Sequence, residues 1–231
     1  KQKHEDACRL EFIDVNLVSS PSVTLLQIRN EVERMAGLVR TNIGLSTGAL
    51  LSGKVADAKQ IEDNEAVIDY LTDAISDFLV KLNVREMSDR DAQYVNRVFQ
   101  ALSDLERIGD YAEKLLHLTE QQEEKNVVYS APAIQELAVI NDNATQLFDN
   151  AVAGFYRQDV HLDELKRMAK TQRQIRKLTN QSQLNHMERL RSGKCSVEAG
   201  ILFGEILNSL NRIGGHSINI AEAATLPQGA E

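Results

Sequence analysis

Residues 104–110 read DLERIGD, and residues 209–215 read SLNRIGG. Leu105, Arg107, Ile108 and Gly109 recur as Leu210, Arg212, Ile213 and Gly214, a displacement of 105 residues. Further upstream, the stretch from Ile61 to Thr72 aligns with Met168 to Thr179 at a displacement of 107, pairing Ile68 with Ile175 and Leu71 with Leu178. Pro21 and Pro132 stand 111 apart, each opening a long apolar period. Nearly constant displacement at three landmarks points to duplication of one unit.

That unit is helical. Apolar residues recur at steps of three and four, as an amphipathic helix requires. Leu25, Ile28, Val32, Met35, Val39 and Ile43 mark a helix over 22–50, closed by Gly53. Ile61, Ile68, Leu71, Ile75, Phe78 and Leu82 mark 55–83, and Val95, Val98, Leu102, Leu105, Ile108, Ala112 and Leu115 mark 88–120. Three more are expected over 132–157, 162–191 and 196–225. Proline suits a first helical turn, where its missing N–H has no partner to lose. Ser88 and Ser130 are expected N-caps. The expected fold is all-α: six helices as two repeated three-helix bundles. Its parts are a lead-in segment over 1–21, a first repeat over 22–120, a linker over 121–131 and a second repeat over 132–226. Leu10, Phe12 and Val15 are the lead-in residues expected to pack on the body.

Composition agrees and excludes other classes. Of 231 residues, only 5% are aromatic and 3 are proline, too few turn and β-forming residues for a sandwich or barrel. The net charge of −8 disfavours nucleic acid. Residues 1–125 hold 15 basic and 23 acidic side chains, whereas 126–231 hold 11 of each. Cys8 and Cys195 show no metal or redox spacing and read as structural residues of a reducing compartment. No apolar run is long enough to span a bilayer. None of His4, His117, His161, His186 and His216 follows a Glu by three residues, so the di-iron helix motif is absent. No hydrolase or nucleotide-binding motif appears, and an enzyme is not expected.

The chemistry lies in carboxylates. Residues i and i+4 share one helix face, about 6 Å apart along the axis. Glu65 and Asp69 have this spacing on the second helix, and Glu106 and Asp110 have it on the third. If these helices are antiparallel neighbours, four anions converge, and a hard metal ion is their natural counter-charge. The alternative is an ordinary solvated face. Gly109, inside the second pair, costs about 1 kcal/mol relative to alanine in a helix and marks a close approach.

DLERIGD, EAVIDYL at 65–71 and SLNRIGGHSINIAEA at 209–223 resemble the signatures of PhoU domains, over roughly 22–225. The resemblance implies two three-helix repeats, binding of iron or zinc through paired acidic motifs, and control of phosphate uptake. DVNLVSSPSVT at 14–24 with EVERMAGLV at 31–39 is similar to the tail of bacterial sodium-phosphate cotransporters. That implies a cytoplasmic domain at the inner face of the plasma membrane, partnered by a membrane-embedded transporter region of its own or another chain. The alternatives are a free-standing PhoU regulator of a phosphate ABC transporter and its sensor kinase, and a metal-free helical interaction module.

The second repeat departs from the pattern. Gln172, Arg176, Asn211 and Gly215 stand where repeat one has Glu65, Asp69, Glu106 and Asp110. One metal site is therefore expected, in repeat one. Arg176 is expected to fill the lost site by bonding Asn211 or Glu205. Lys166, Arg167, Lys170, Arg173, Arg176 and Lys177 form a basic segment, read either as a solvated face or as a contact for anionic lipid or phosphate. A second copy of the chain is a further candidate partner.

Overall fold

The computed structural model describes residues 8–14, 20–82 and 87–225. Six helices follow in order: α1 (Pro21–Ser52), α2 (Ala58–Lys81), α3 (Asp89–Glu124), α4 (Ala131–Arg157), α5 (Leu162–Arg191) and α6 (Val197–Ala223). Among the described residues there is no strand, only one isolated bridge between Val160 and Thr225.

The helix ends follow local chemistry. Pro21 and Pro132 lie in the first turns of α1 and α4. Ser88 caps α3 by accepting from the amide of Asp91, and Ser196 caps α6 in the same way from Ala199. Ser130 occupies the capping position of α4, but its side chain makes no cap bond. Gly53 ends α1 in the left-handed region, at φ 66°. Gln158 ends α4 in that region too, at φ 59°, where a non-glycine residue is uncommon. The expected linker is shorter than its sequence suggests: α3 runs on to Glu124, leaving 125–130 as the connection. Within it Tyr129 is buried against Phe203.

α1, α3, α4 and α6 form the centre. α3 lies along α6, α1 along α3, α4 along α6, and α1 meets α4 more sparingly. α2 covers α1 and α3, and α5 covers α4 and α6. This arrangement is unchanged when the repeats are exchanged, as a pseudo-twofold axis requires. Tyr111 and His216, 105 residues apart, face each other with ring centroids at 5.9 Å. Apolar residues of both repeats form one continuous core, from Ile28 and Ile68 to Phe148 and Phe203. The two bundles are fused rather than tethered.

The lead-in docks by a route the apolar pattern did not show. Ile13 enters the core and Leu10 packs at its edge, while Phe12 is 43% exposed. Phe12 is thus corrected from packing residue to surface residue: the chain bends at Glu11 and Phe12, leaving both exposed, and Ile13 turns inward. Val15 lies outside the described residues. The segment is held by Glu31, which is fully buried. One of its oxygens accepts from the amides of Glu11 at 2.9 Å, Phe12 at 2.8 Å and Ile13 at 3.4 Å. The other accepts from Nε of Arg34 at 2.7 Å. The same position of repeat two, Glu136, instead grips α5, accepting from both terminal nitrogens of Arg189 and from Asn185, each at 3.0 Å.

Glu31→Ala would strand the buried amide of Ile13 and the part-buried donors of Glu11, Phe12 and Arg34, so it should cost about 3 kcal/mol in urea unfolding. Hydrogen exchange at the amides of Glu11 and Phe12 should accelerate in that variant and stay unchanged in Glu136→Ala.

Candidate functional site

The apolar stripe of α2 runs through Ile61, Ile68, Leu71 and Ile75, all buried. Glu65 falls in the same stripe and is only 6% exposed. Helical periodicity therefore drives a carboxylate into the interface with α3. Gly109 receives it there, since a Cβ on residue 109 would sit 2.9 Å from Oε2 of Glu65. Asn42 of α1 donates to Oε2 at 3.5 Å and to the carbonyl of Ile61 at 3.1 Å. Oε1 of Glu65 is buried without a hydrogen-bond partner.

The four predicted carboxylates share one electrostatic neighbourhood. Burial pushes Glu65 from 4.5 up to about 8, helped by the charges of Asp69, Glu113 and Asp110. Burial and the charges of Asp110 and Asp73 raise Asp69. Glu106 is raised by burial and by Asp110, against the pull of Arg107. Arg107 lies 3.4 Å from Asp110 and is the nearby counter-charge. Glu113, four residues past Gly109 on α3, belongs to this face and was not anticipated. Its spacing of seven from Glu106 was the available signal.

The donor set is all hard oxygen, which suits a hard or borderline divalent ion. The orphaned Oε1 and the mutual repulsion fit a missing positive charge. The side chains are nevertheless not drawn up around a common point. Among the described residues, no group of three or more His, Cys, Asp or Glu side chains is arranged to hold a metal ion.

Repeat two keeps the shape and loses the charge. Gln172 sits over Gly214 as Glu65 sits over Gly109. The Oε1 of Gln172 and the Oδ1 of Asn211 are buried without partners. The expectation that Arg176 fills this slot is corrected: Arg176 is exposed, like the Asp69 it replaces, and a guanidinium at that position reaches water. Glu205 is taken by Lys114 of α3 at 2.5 Å. All six cations of the 166–177 segment are exposed, and apart from Lys166 with Asp163 they make no ion pair among the described residues. His216 bonds Asp104 of α3 at 2.8 Å.

A fused pair of three-helix units, with acidic residues facing a glycine in the first and amides in the second, defines a duplicated all-α domain. The PhoU domain pattern matches residues 32–119 and again 137–224, displaced by 105 residues at both ends. The chain belongs to the PhoU domain family. It is 24% identical over 203 residues to the "Phosphate-specific transport system accessory protein PhoU homolog 1" of Thermotoga maritima, covering 86% of this chain and 84% of that protein. It is 25% identical over 206 residues to the PhoU homologue of Synechocystis, covering 86% of each. The crystal structure of PhoU from Pseudomonas aeruginosa superposes with a TM-score of 0.79 at 23% identity, covering 87% of this chain and 94% of that one. The Thermotoga and Synechocystis relatives are named as accessory proteins, and none of the three is named as a cotransporter. The family part of the sequence reading stands, and the cotransporter part gains no support from them. No helix among the described residues is long and apolar enough to cross a membrane.

The raised Glu65 sets a pH dependence. An unfolded glutamate releases its proton near 4.5, whereas folded Glu65 keeps it to about 8. The folded metal-free chain therefore binds more protons between these values. The resulting stabilisation is complete below pH 4.5 and is lost as the pH rises through 8. Urea unfolding in chelator should show a falling midpoint from pH 5 to pH 8.5. Glu65→Gln should flatten that slope and be the more stable protein at pH 8.5.

Proposed function

We propose that this chain is a non-enzymatic, cytoplasmic regulator of phosphate transport that acts by contact with phosphate-transport components. The double match to the PhoU domain pattern carries the reading. The named relatives favour the free-standing accessory role over the tail of a sodium-phosphate cotransporter. The cotransporter placement requires membrane-spanning segments upstream of Lys1, which genomic sequence would reveal.

The regulator binds iron or zinc at Glu65, Asp69, Glu106 and Asp110, with Glu113 at the edge of the set. Support comes from the unpartnered Glu65 oxygen and from the repulsion among these groups. A bound cation would supply the positive charge that lets all of them ionise together. Repeat two, with amides and no anion in its slot, binds none. The exposed cations of α5 offer an anionic partner, lipid head group or phosphate, a separate surface.

Two measurements test this. In cells lacking their own PhoU, the chain should restore repression of a phosphate-starvation reporter in high phosphate; a folded, expressed chain that leaves the reporter on counts against the regulatory role. Elemental analysis after zinc or iron loading should find metal in the wild type and none in Glu106→Gln with Asp110→Asn. Full metal content in the double variant would overturn the ligand assignment. No metal in either protein would favour the metal-free module.

A further inference from the structure

The turn joining α5 to α6 carries Cys195, one residue ahead of the Ser196 cap. The thiol is half-buried, and its Sγ lies 3.5 Å from Nε2 of His186 on α5. His186 is only 2% exposed. Its ring stacks on Phe203 of α6, with centroids 4.8 Å apart and planes at 19°. A Cβ on residue 200 would lie 2.9 Å from Nε2, so Gly200 clears the space in which the ring meets the sulfur. Tyr129 packs edge-on against Phe203 at 5.4 Å. It is 7% exposed. Neither its hydroxyl nor Nδ1 of His186 has a hydrogen-bond partner.

A buried histidine with an unpartnered ring nitrogen, set against a half-buried thiol, is more than packing needs. Reactive cysteines occur in such places: partly exposed, beside a histidine, at the start of a helix. We infer that Cys195 is a modification site, a thiol that His186 primes for attack on hydrogen peroxide. Nε2 takes the thiol proton, and the sulfur attacks one peroxide oxygen as the O–O bond breaks. His186 returns the proton to the departing hydroxide, which leaves as water. The sulfur is oxidised by two electrons to a sulfenic acid, and the peroxide is reduced.

The surroundings keep the base available. Burial and the charge of Arg189 hold the His186 imidazole below its ordinary 6.5, against the opposing pull of Glu136. Arg189 lies on the same helix and is held by Glu136 of α4. Cys195 approaches from the connection between α5 and α6, and α6 presents Phe203 and Gly200 to the ring. At pH 7 the imidazole is neutral and can accept a proton.

Cys8 is an internal control. It is also half-buried, but its thiol meets the carbonyl of Ala66 at 3.8 Å and, among the described residues, no histidine. The full chain would be treated with iodoacetamide from pH 6.5 to 8.5, and separately with hydrogen peroxide plus dimedone, with peptide mass spectrometry reading both cysteines. At pH 6.5 Cys195 should react at least about tenfold faster than Cys8. Its rate should stay nearly level, while an ordinary thiol loses about tenfold per unit below pH 8.5. His186→Phe keeps a ring on Phe203 and removes the base, so Cys195 should drop to the rate of Cys8. Equal labelling of the two wild-type cysteines, a Cys195 rate that tracks an ordinary thiol, or an unchanged rate in folded His186→Phe would each overturn the inference. If His186→Phe does not fold, the wild-type pH profile alone decides. These readouts are independent of metal binding and of phosphate control.

Discussion

α3 and α6 are bound along their length by apolar side chains and by a short set of polar contacts across the seam. Asp104 accepts from His216 at 2.8 Å and from Asn219 at 3.0 Å, and Lys114 reaches Glu205. Each helix also carries an RIG triplet whose glycine faces outward from the seam, toward α2 or α5. One side of each helix therefore joins the repeats, and the other admits a polar side chain from a covering helix. The carboxylate face exists because α3 must do both. Losing the seam would expose the core of both halves and release the surface on which Glu65 is held.

The same geometry explains why repeat one carries charge and repeat two does not. The slot above each glycine is too buried for a free carboxylate at neutral pH, as the raised Glu65 shows. An amide fits it without a counter-ion, though Gln172 still leaves an oxygen unpartnered. Either a cation arrives or the charge is removed, and the chain uses an acid in one half and an amide in the other. Arg176 takes no part in this because the next turn of the helix already faces water.

Much of this was legible in the sequence. Period-3.6 runs of Ile, Leu and Val gave the helices within a few residues, since each covers a broad apolar face. The Leu, Arg, Ile and Gly shared by 105–109 and 210–214 gave the duplication. The pairing of Glu65 with Asp69, and of Glu106 with Asp110, located the acidic face. What spacing could not convey was inequality within a pair: Glu65 is buried and Asp69 is exposed, because a turn of four residues also rotates by some 40°. Glu113 was passed over because it pairs with no acid four residues away. The grip of Glu31 on the lead-in was invisible because it uses backbone amides, which every residue has. His186 and Cys195 stand nine apart and meet only because the chain turns between them.

The symmetric contacts of the centre carry one more consequence. α3 against α6, and α1 against α4, are each an element facing its own counterpart. Such self-complementary pairing is the mark of an isologous dimer, in which one patch meets the same patch on a second copy. Here the two copies are joined through residues 125–130. Covalent linkage lets the halves diverge while the contact between them is kept. Gln172 in place of Glu65, and a strap under Glu31 where Glu136 holds a helix, are differences that a dimer of identical subunits cannot possess.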